Sequence, residues 1–131
     1  MLRISTPLPD ELEALVHQTI GCCIEVHRVL GPGLLESICS RATCLELAVH
    51  GIPFEQEKRI PVFYRERLLC HQRLDIIVDS RLILEIKSVE KLNPVHQAQL
   101  LSYLRISGLR VGLLVNFNSA ILQDGLKRIV L

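Results

Sequence analysis

The sequence predicts an α/β domain with the element order ααβββαβ, on three observations. Apolar residues recur at helical spacing up to about residue 49, and from Lys58 the period shifts to that of strands. A proline-opened helix then leads into LRVGLLVNF (109–117), an almost continuously apolar run of the kind found in buried parallel strands. A parallel strand reached through a helix implies one crossover, right-handed by the general rule.

Each element has its own signal. Pro9-Asp10 opens the first helix, with Asp10, Glu11 and Glu13 favourably placed near the positive end of its dipole. Leu12, Leu15, Val16, Ile20, Cys23, Ile24 and Leu30 mark its buried face, and Gly31-Pro32-Gly33 stops it. A second helix is expected over 34–49, with Leu35, Ile38, Ala42 and Leu45 inward and Gly51 as its terminator. Residues 60–65 read as a strand, and Pro61 argues for an edge or a strand start. Residues 68–78 and 82–87 read as two more, joined at Asp79-Ser80-Arg81. A third helix runs from Pro94 to about Ile106, with proline well placed in its first turn and Gly108 at its end. The last fourteen residues, NSAILQDGLKRIVL, read equally well as several structures. No linker, repeat or low-complexity tract divides the chain, so residues 1–131 are expected to form one domain.

Composition narrows the function classes. The formal net charge is +1 and aromatics make up 4%, so neither a bulk basic surface nor a stacking platform for single strands is indicated. The hydrophobic fraction of 49% points to a homo-oligomer or a protein partner docked on surplus apolar surface. No apolar run approaches the roughly 20 residues of a membrane span, and MLRISTPLPDELEAL lacks the order of a signal peptide. The expectation is a cytoplasmic protein without membrane association. The odd cysteine count (Cys22, Cys23, Cys39, Cys44, Cys70) then implies reduced thiols. Zinc-ligand spacing is missing, so the cysteines read as small buried hydrophobes.

The stretch RLDIIVDSRLILEIKS (73–88) sets charges into a run that is otherwise aliphatic. Side chains alternate across a strand, so the loop length decides which residues share a face. A two-residue turn would pair Asp75 with Leu84 and mix charged and aliphatic positions on both faces. The odd loop Asp79-Ser80-Arg81 pairs Asp75 with Glu85 instead. Leu74, Ile76, Val78, Leu82, Leu84 and Ile86 then form one face, expected to lie under one or both of the first two helices. Asp75, Glu85 and Lys87 gather on the other face with Ile77 and Ile83, their carboxylates within about 6 Å. Such a face is either a solvated ion pair or a site for a divalent metal or a shared proton.

The pattern Asp75-x9-Glu85-x-Lys87 on a hairpin, followed by a helix and a parallel strand, resembles the PD-(D/E)XK nuclease superfamily, whose restriction-endonuclease-like core is αβββαβ. The chain would carry one additional N-terminal helix. Gln99 to Tyr103 resembles the QxxxY motif of its exonuclease-like branches. GPGLLESIC (31–39), with HRVLGPGLLE, EIKSVE, HQAQLLSYL and GLLVNF, is similar to the small bacterial GxxExxY proteins over nearly the full length. Cys39 stands where that signature has tyrosine, and Leu74 where the superfamily has proline before its aspartate.

The resemblance implies a metal-dependent nuclease acting on nucleic acid, with DNA favoured over RNA. Asp75, Glu85, the Ile86 carbonyl and Glu36 would bind Mg²⁺ or Mn²⁺. Lys87 would orient the attacking water and stabilise developing charge, and Gln99 and Tyr103 would hold water or a substrate phosphate. A second reading is a nuclease-fold module that binds nucleic acid or protein without cleaving it. Bland roles compete residue by residue: Glu36 serving its helix dipole, Gln99 solvated, Tyr103 in the core, His27 and His96 hydrogen-bonded rather than ligating. The GPG at 31–33 lacks the lysine and Ser/Thr of a phosphate loop.

Overall fold

A computed structural model of the chain describes residues 7–131. The MLRIST segment, on which the signal-peptide reading and part of the single-domain expectation rest, lies outside the described residues. Pro9 precedes helix α1 (Asp10–Leu30), and its carbonyl accepts the N–H groups of Leu12 and Glu13. Gly31, at φ 69°, ends the helix with its N–H on the His27 carbonyl. Helix α2 (Glu36–Val49) packs on α1. Strands β1 (Phe54–Tyr64), β2 (Arg67–Val78) and β3 (Leu82–Lys87) follow as an antiparallel meander. Helix α3 (Pro94–Ser107) crosses to β4 (Val111–Asn116), which lies parallel to β3. The final residues, ambiguous in the sequence, form a 3-10 turn at Leu122–Gly125 and an antiparallel edge strand β5 (Leu126–Val130). The sheet order is β1-β2-β3-β4-β5.

Both faces of the sheet are covered. Ile76, Val78, Leu82, Leu84 and Ile86 pack with Leu12, Leu15, Val16, Cys23 and Leu47 of α1 and α2. Ile77, Ile83 and Leu114 pack with Leu100, Tyr103 and Leu104 of α3 on the other side. Buried on both faces, β4 is continuously apolar up to Asn116, which explains its sequence. Gly112 lets α3 come close: a Cβ there would lie 2.7 Å from a Leu100 methyl. Asn93 caps α3 by accepting from Val95 and His96 N–H, while its own N–H donates to His96 Nδ1. Gly108 closes the helix in the left-handed conformation (φ 74°) that glycine adopts without strain. His96 is thus a capping residue, and His27 Nε2 lies 2.7 Å from the Ser119 carbonyl.

Four expectations need correcting. Helix α2 does not bury Leu35, Ile38 and Leu45; they are exposed, Leu45 at 69%. Its inward face is Cys39, Thr43, Cys44 and Leu47, where Thr43 satisfies its hydroxyl on the Cys39 carbonyl at 2.8 Å. A hydroxyl bonded to its own helix can be buried, so the polar-looking positions face inward. Leu74 joins the α3 side, because the β2–β3 pairing ends at Ile76 and Leu84 and alternation across the pair no longer governs it. Strand β1 begins at Phe54, six residues before the expected start. Of the five free cysteines, four are buried as expected, but Cys70 is exposed.

The hairpin face under α1 and α2 is fully buried, Ile76 included. Ile76→Asp should therefore cost about 3–5 kcal/mol, that of a buried unpaired charge, and leave the chain largely unfolded. Thermal melting followed by circular dichroism checks this, and a variant melting like wild type would refute the face assignment.

Candidate active site

The three-residue loop predicted from parity is present. Val78 pairs with Leu82, Ile77 with Ile83 and Ile76 with Leu84, and Asp79 and Ser80 take positive φ to close the turn. One step further, Asp75 and Glu85 face each other. The Asp75 N–H donates to Glu85 Oε2 at 2.9 Å, and the Ile86 N–H donates to Asp75 Oδ2 at 2.9 Å. Each acid thus satisfies a main-chain donor of the opposite strand.

Glu85 is 4% exposed, and its carboxyl lies beside that of Asp75, whose charge it feels. Burial, then the Asp75 charge, pushes Glu85 up from 4.5 to about 8, against smaller opposing pulls from the Asp75 N–H and then Lys87. Arg73 reaches Asp75 Oδ1 at 3.6 Å and Glu57 Oε1 at 3.1 Å. Lys87 Nζ donates to Gln99 Oε1 at 3.4 Å, which links the hairpin to α3. Tyr103 is buried, accepts from Gln72 Nε2 at 3.2 Å, and is raised by burial and by the charges of Glu85 and Asp75.

Glu36 reaches the site from the other side of the sheet. Ser88, just past β3, donates to the Leu34 carbonyl at 2.6 Å and so holds the start of α2 against the end of the strand. An open cleft of about 420 Å³ results, lined by Glu36, Ser37, Ser40, Arg41, Gln56, Glu57, Arg73, Asp75 and Ile86. Asp75, Glu85 and Lys87 are thus brought together, Gln99 and Tyr103 border them, and Glu36 shares the cleft. Among the described residues, no three Asp, Glu, His or Cys side chains converge as a metal-binding group, so Glu36 does not complete a triad with the pair. Cys39 lies in the core and does not line the cleft. Sequence reasoning missed Arg73, Glu57, Ser40 and Arg41. Arg73 alone had a signal, lying two positions before Asp75 on the same strand.

Comparison with protein families matches residues 13–129 to the PD-(D/E)XK nuclease superfamily. The chain belongs to the PD-(D/E)XK nuclease superfamily. Among curated proteins and solved structures, no match was found. Superfamily membership accounts for the mixed sheet and carries the general expectation of a nuclease using a divalent metal. The donor set suits that expectation: two adjoining carboxyls and a main-chain carbonyl are hard oxygen ligands, and Mg²⁺ needs only one or two carboxylates beside its waters.

The raised Glu85 fixes the sign of a pH effect. Between 4.5 and about 8 the folded protein keeps a proton that the unfolded chain releases, so metal-free stability falls as pH rises through that window. Glu85→Gln removes the titration. In thermal melts between about pH 5 and 8, wild type should lose stability relative to Glu85→Gln by a few kcal/mol. Parallel profiles would show that Glu85 ionises as a surface carboxyl does.

Proposed function

We propose that the protein is a metal-dependent nuclease that hydrolyses phosphodiester bonds of nucleic acid, DNA before RNA, in the cytoplasm. Within the superfamily we place it with the GxxExxY proteins, on Gly33 and Glu36 at the signature spacing and Cys39 at its tyrosine position. The observation that carries the reading is the pair of adjoining carboxyls, each accepting a main-chain N–H across the hairpin and one of them buried, with Lys87 two residues beyond Glu85 on the same strand. Burying like charges against each other is costly, and a divalent cation is what such a pair accommodates best.

Asp75, Glu85 and the Ile86 carbonyl would hold Mg²⁺ or Mn²⁺, with Glu36 contributing from the cleft through water. When bound, the metal supplies Lewis acidity and lowers the pKa of water at its surface. Lys87 orients the attacking water and stabilises the negative charge that builds on the phosphorus oxygens. Gln99 fixes the Lys87 ammonium in position. Tyr103 and Gln72 form a hydrogen-bonded pair beside the carboxylates that can take a phosphate oxygen, and Arg73 adds positive charge at the cleft wall. Glu85 would hold the cation as its carboxylate, so metal affinity should rise with pH.

A binding module without cleavage remains the second reading. It is favoured by the convergence of only two carboxylates among the described residues.

Mg²⁺ or Mn²⁺ should raise the melting temperature through binding to the folded state. Asp75→Asn should abolish that rise without destabilising the metal-free protein. Lys87→Ala should keep the rise yet lose cleavage by about a hundredfold or more. Wild type that is stabilised by metal but cleaves neither DNA nor RNA would leave the binding module standing.

A further inference from the structure

The hairpin formed by β1 and β2 outruns the rest of the sheet. β3 has six residues and pairs with β2 only at Ile76–Val78, whereas β1 and β2 pair with each other as far as Tyr64 and Arg67. The segment from Lys58 to Arg73 is therefore an arm rooted beside Asp75. At 3.4 Å per residue it projects roughly 27 Å between Asp75 and Arg67.

Charge is concentrated on this arm. It carries five basic residues (Lys58, Arg59, Arg65, Arg67, Arg73) and one acid, Glu66, in a chain of net charge +1, so the remainder of the chain is net negative. Among the described residues, no carboxylate pairs with Arg59, Arg65 or Arg67. Arg59 sits directly across from Arg73, and like charges opposite one another destabilise a ladder. Near the tip, Phe63 (60%), Tyr64 (63%) and Leu69 (62%) are exposed. The turn itself places two non-glycine residues, Arg65 and Glu66, at positive φ. Positive-φ backbone, cations without a carboxylate partner and exposed aromatics meet at the tip, where the Arg65 guanidinium lies 5.7 Å over the Tyr64 ring, and the root of the arm borders the carboxylate cleft.

We propose that the β1–β2 arm is the nucleic-acid grip of this protein, with Arg59, Arg65 and Arg67 on the phosphate backbone and Phe63 and Tyr64 against bases. The inference rests on the nuclease reading and assigns its substrate a path, from the tip of the arm down to Asp75. A span of roughly 27 Å matches about eight phosphates of one strand. An anion bridging Arg59 and Arg73 relieves their repulsion. The same charge speaks against a second copy docking arm to arm, since each arm would meet its own sign.

The test measures binding by anisotropy with a labelled duplex of about 20 base pairs and with its single strand, in EDTA so that no cleavage occurs. The triple variant Arg59→Gln, Arg65→Gln, Arg67→Gln should bind at least tenfold more weakly. Its plot of log affinity against log salt should be shallower by about two to three. The triple lysine variant should bind within a few-fold of wild type. The glutamine variant should melt no lower than wild type, since it removes repulsion, which separates lost binding from lost folding. Unchanged affinity and salt slope would overturn the arm and leave the nuclease reading intact. Wild type binding neither form would overturn both. A Phe63→Ser, Leu69→Ser variant that turns a dimer into a monomer while nucleic-acid binding is unaltered would assign the tip to a second copy and overturn the proposal.

Discussion

Where β2 and β3 part, two side-chain carboxyls replace main-chain acceptors, and the rest of the site depends on that exchange. The N–H groups of Asp75 and Ile86 would otherwise lack partners at the point where the ladder gives out. By accepting them, Asp75 and Glu85 hold the separated strands at a fixed spacing and are themselves fixed in orientation. The opening so maintained admits the cleft on the α2 side and releases Leu74 toward α3. A pair of acids free to rotate toward solvent would do none of this.

The scaffold opposes the tendency of such a pair to come apart. Glu85 is desolvated and faces a like charge, while Arg73 and Lys87 reach the pair from its rim. Helix α3 packs over Ile77 and Ile83 and brings Tyr103 and Gln99 alongside. Asn116 at the end of β4 clasps the N–H and carbonyl of Val89 at 3.0 and 2.9 Å, so the segment leaving Lys87 is held as well. The carboxyl-bearing end of the hairpin therefore stands on regular elements joined by part-buried hydrogen bonds, which fix it in place.

How legible this was varied with the physics. The hairpin loop was readable because only an odd loop keeps the charged positions of the two strands together, whereas a shift of one residue would have set Asp75 against Leu84. The continuous apolar run of β4 was readable for the same reason. In helix α2 the leucine and isoleucine pattern points the wrong way, because the buried positions carry cysteine, threonine and one leucine. The early turns of β1 carry Glu55, Gln56, Glu57 and Lys58, which suit an exposed edge and leave no apolar alternation to detect. Strand β5 is short and mostly half-exposed, so its pattern is too weak to separate from a turn. Within the site, the acids and Lys87 were legible as charges in an aliphatic run. Arg73 and the α2 side of the cleft depend on tertiary placement, which spacing along the chain does not encode.

The two outer strands have a consequence for the life of the protein in a crowded solution. Nearly half the residues are hydrophobic, and the mean hydropathy is +0.33, a composition that favours association through open strand edges. One border, β1, carries two acids (Glu55, Glu57) followed by two bases (Lys58, Arg59), a proline at position 61 and a register shift between Val62 and Phe63. The other, β5, is five residues long and includes Lys127 and Arg128, the latter paired with Glu13 of α1. Neither border offers a neighbour a long flat ladder of free main-chain groups. Both borders are of the kind that disfavours growth of a sheet by strand addition.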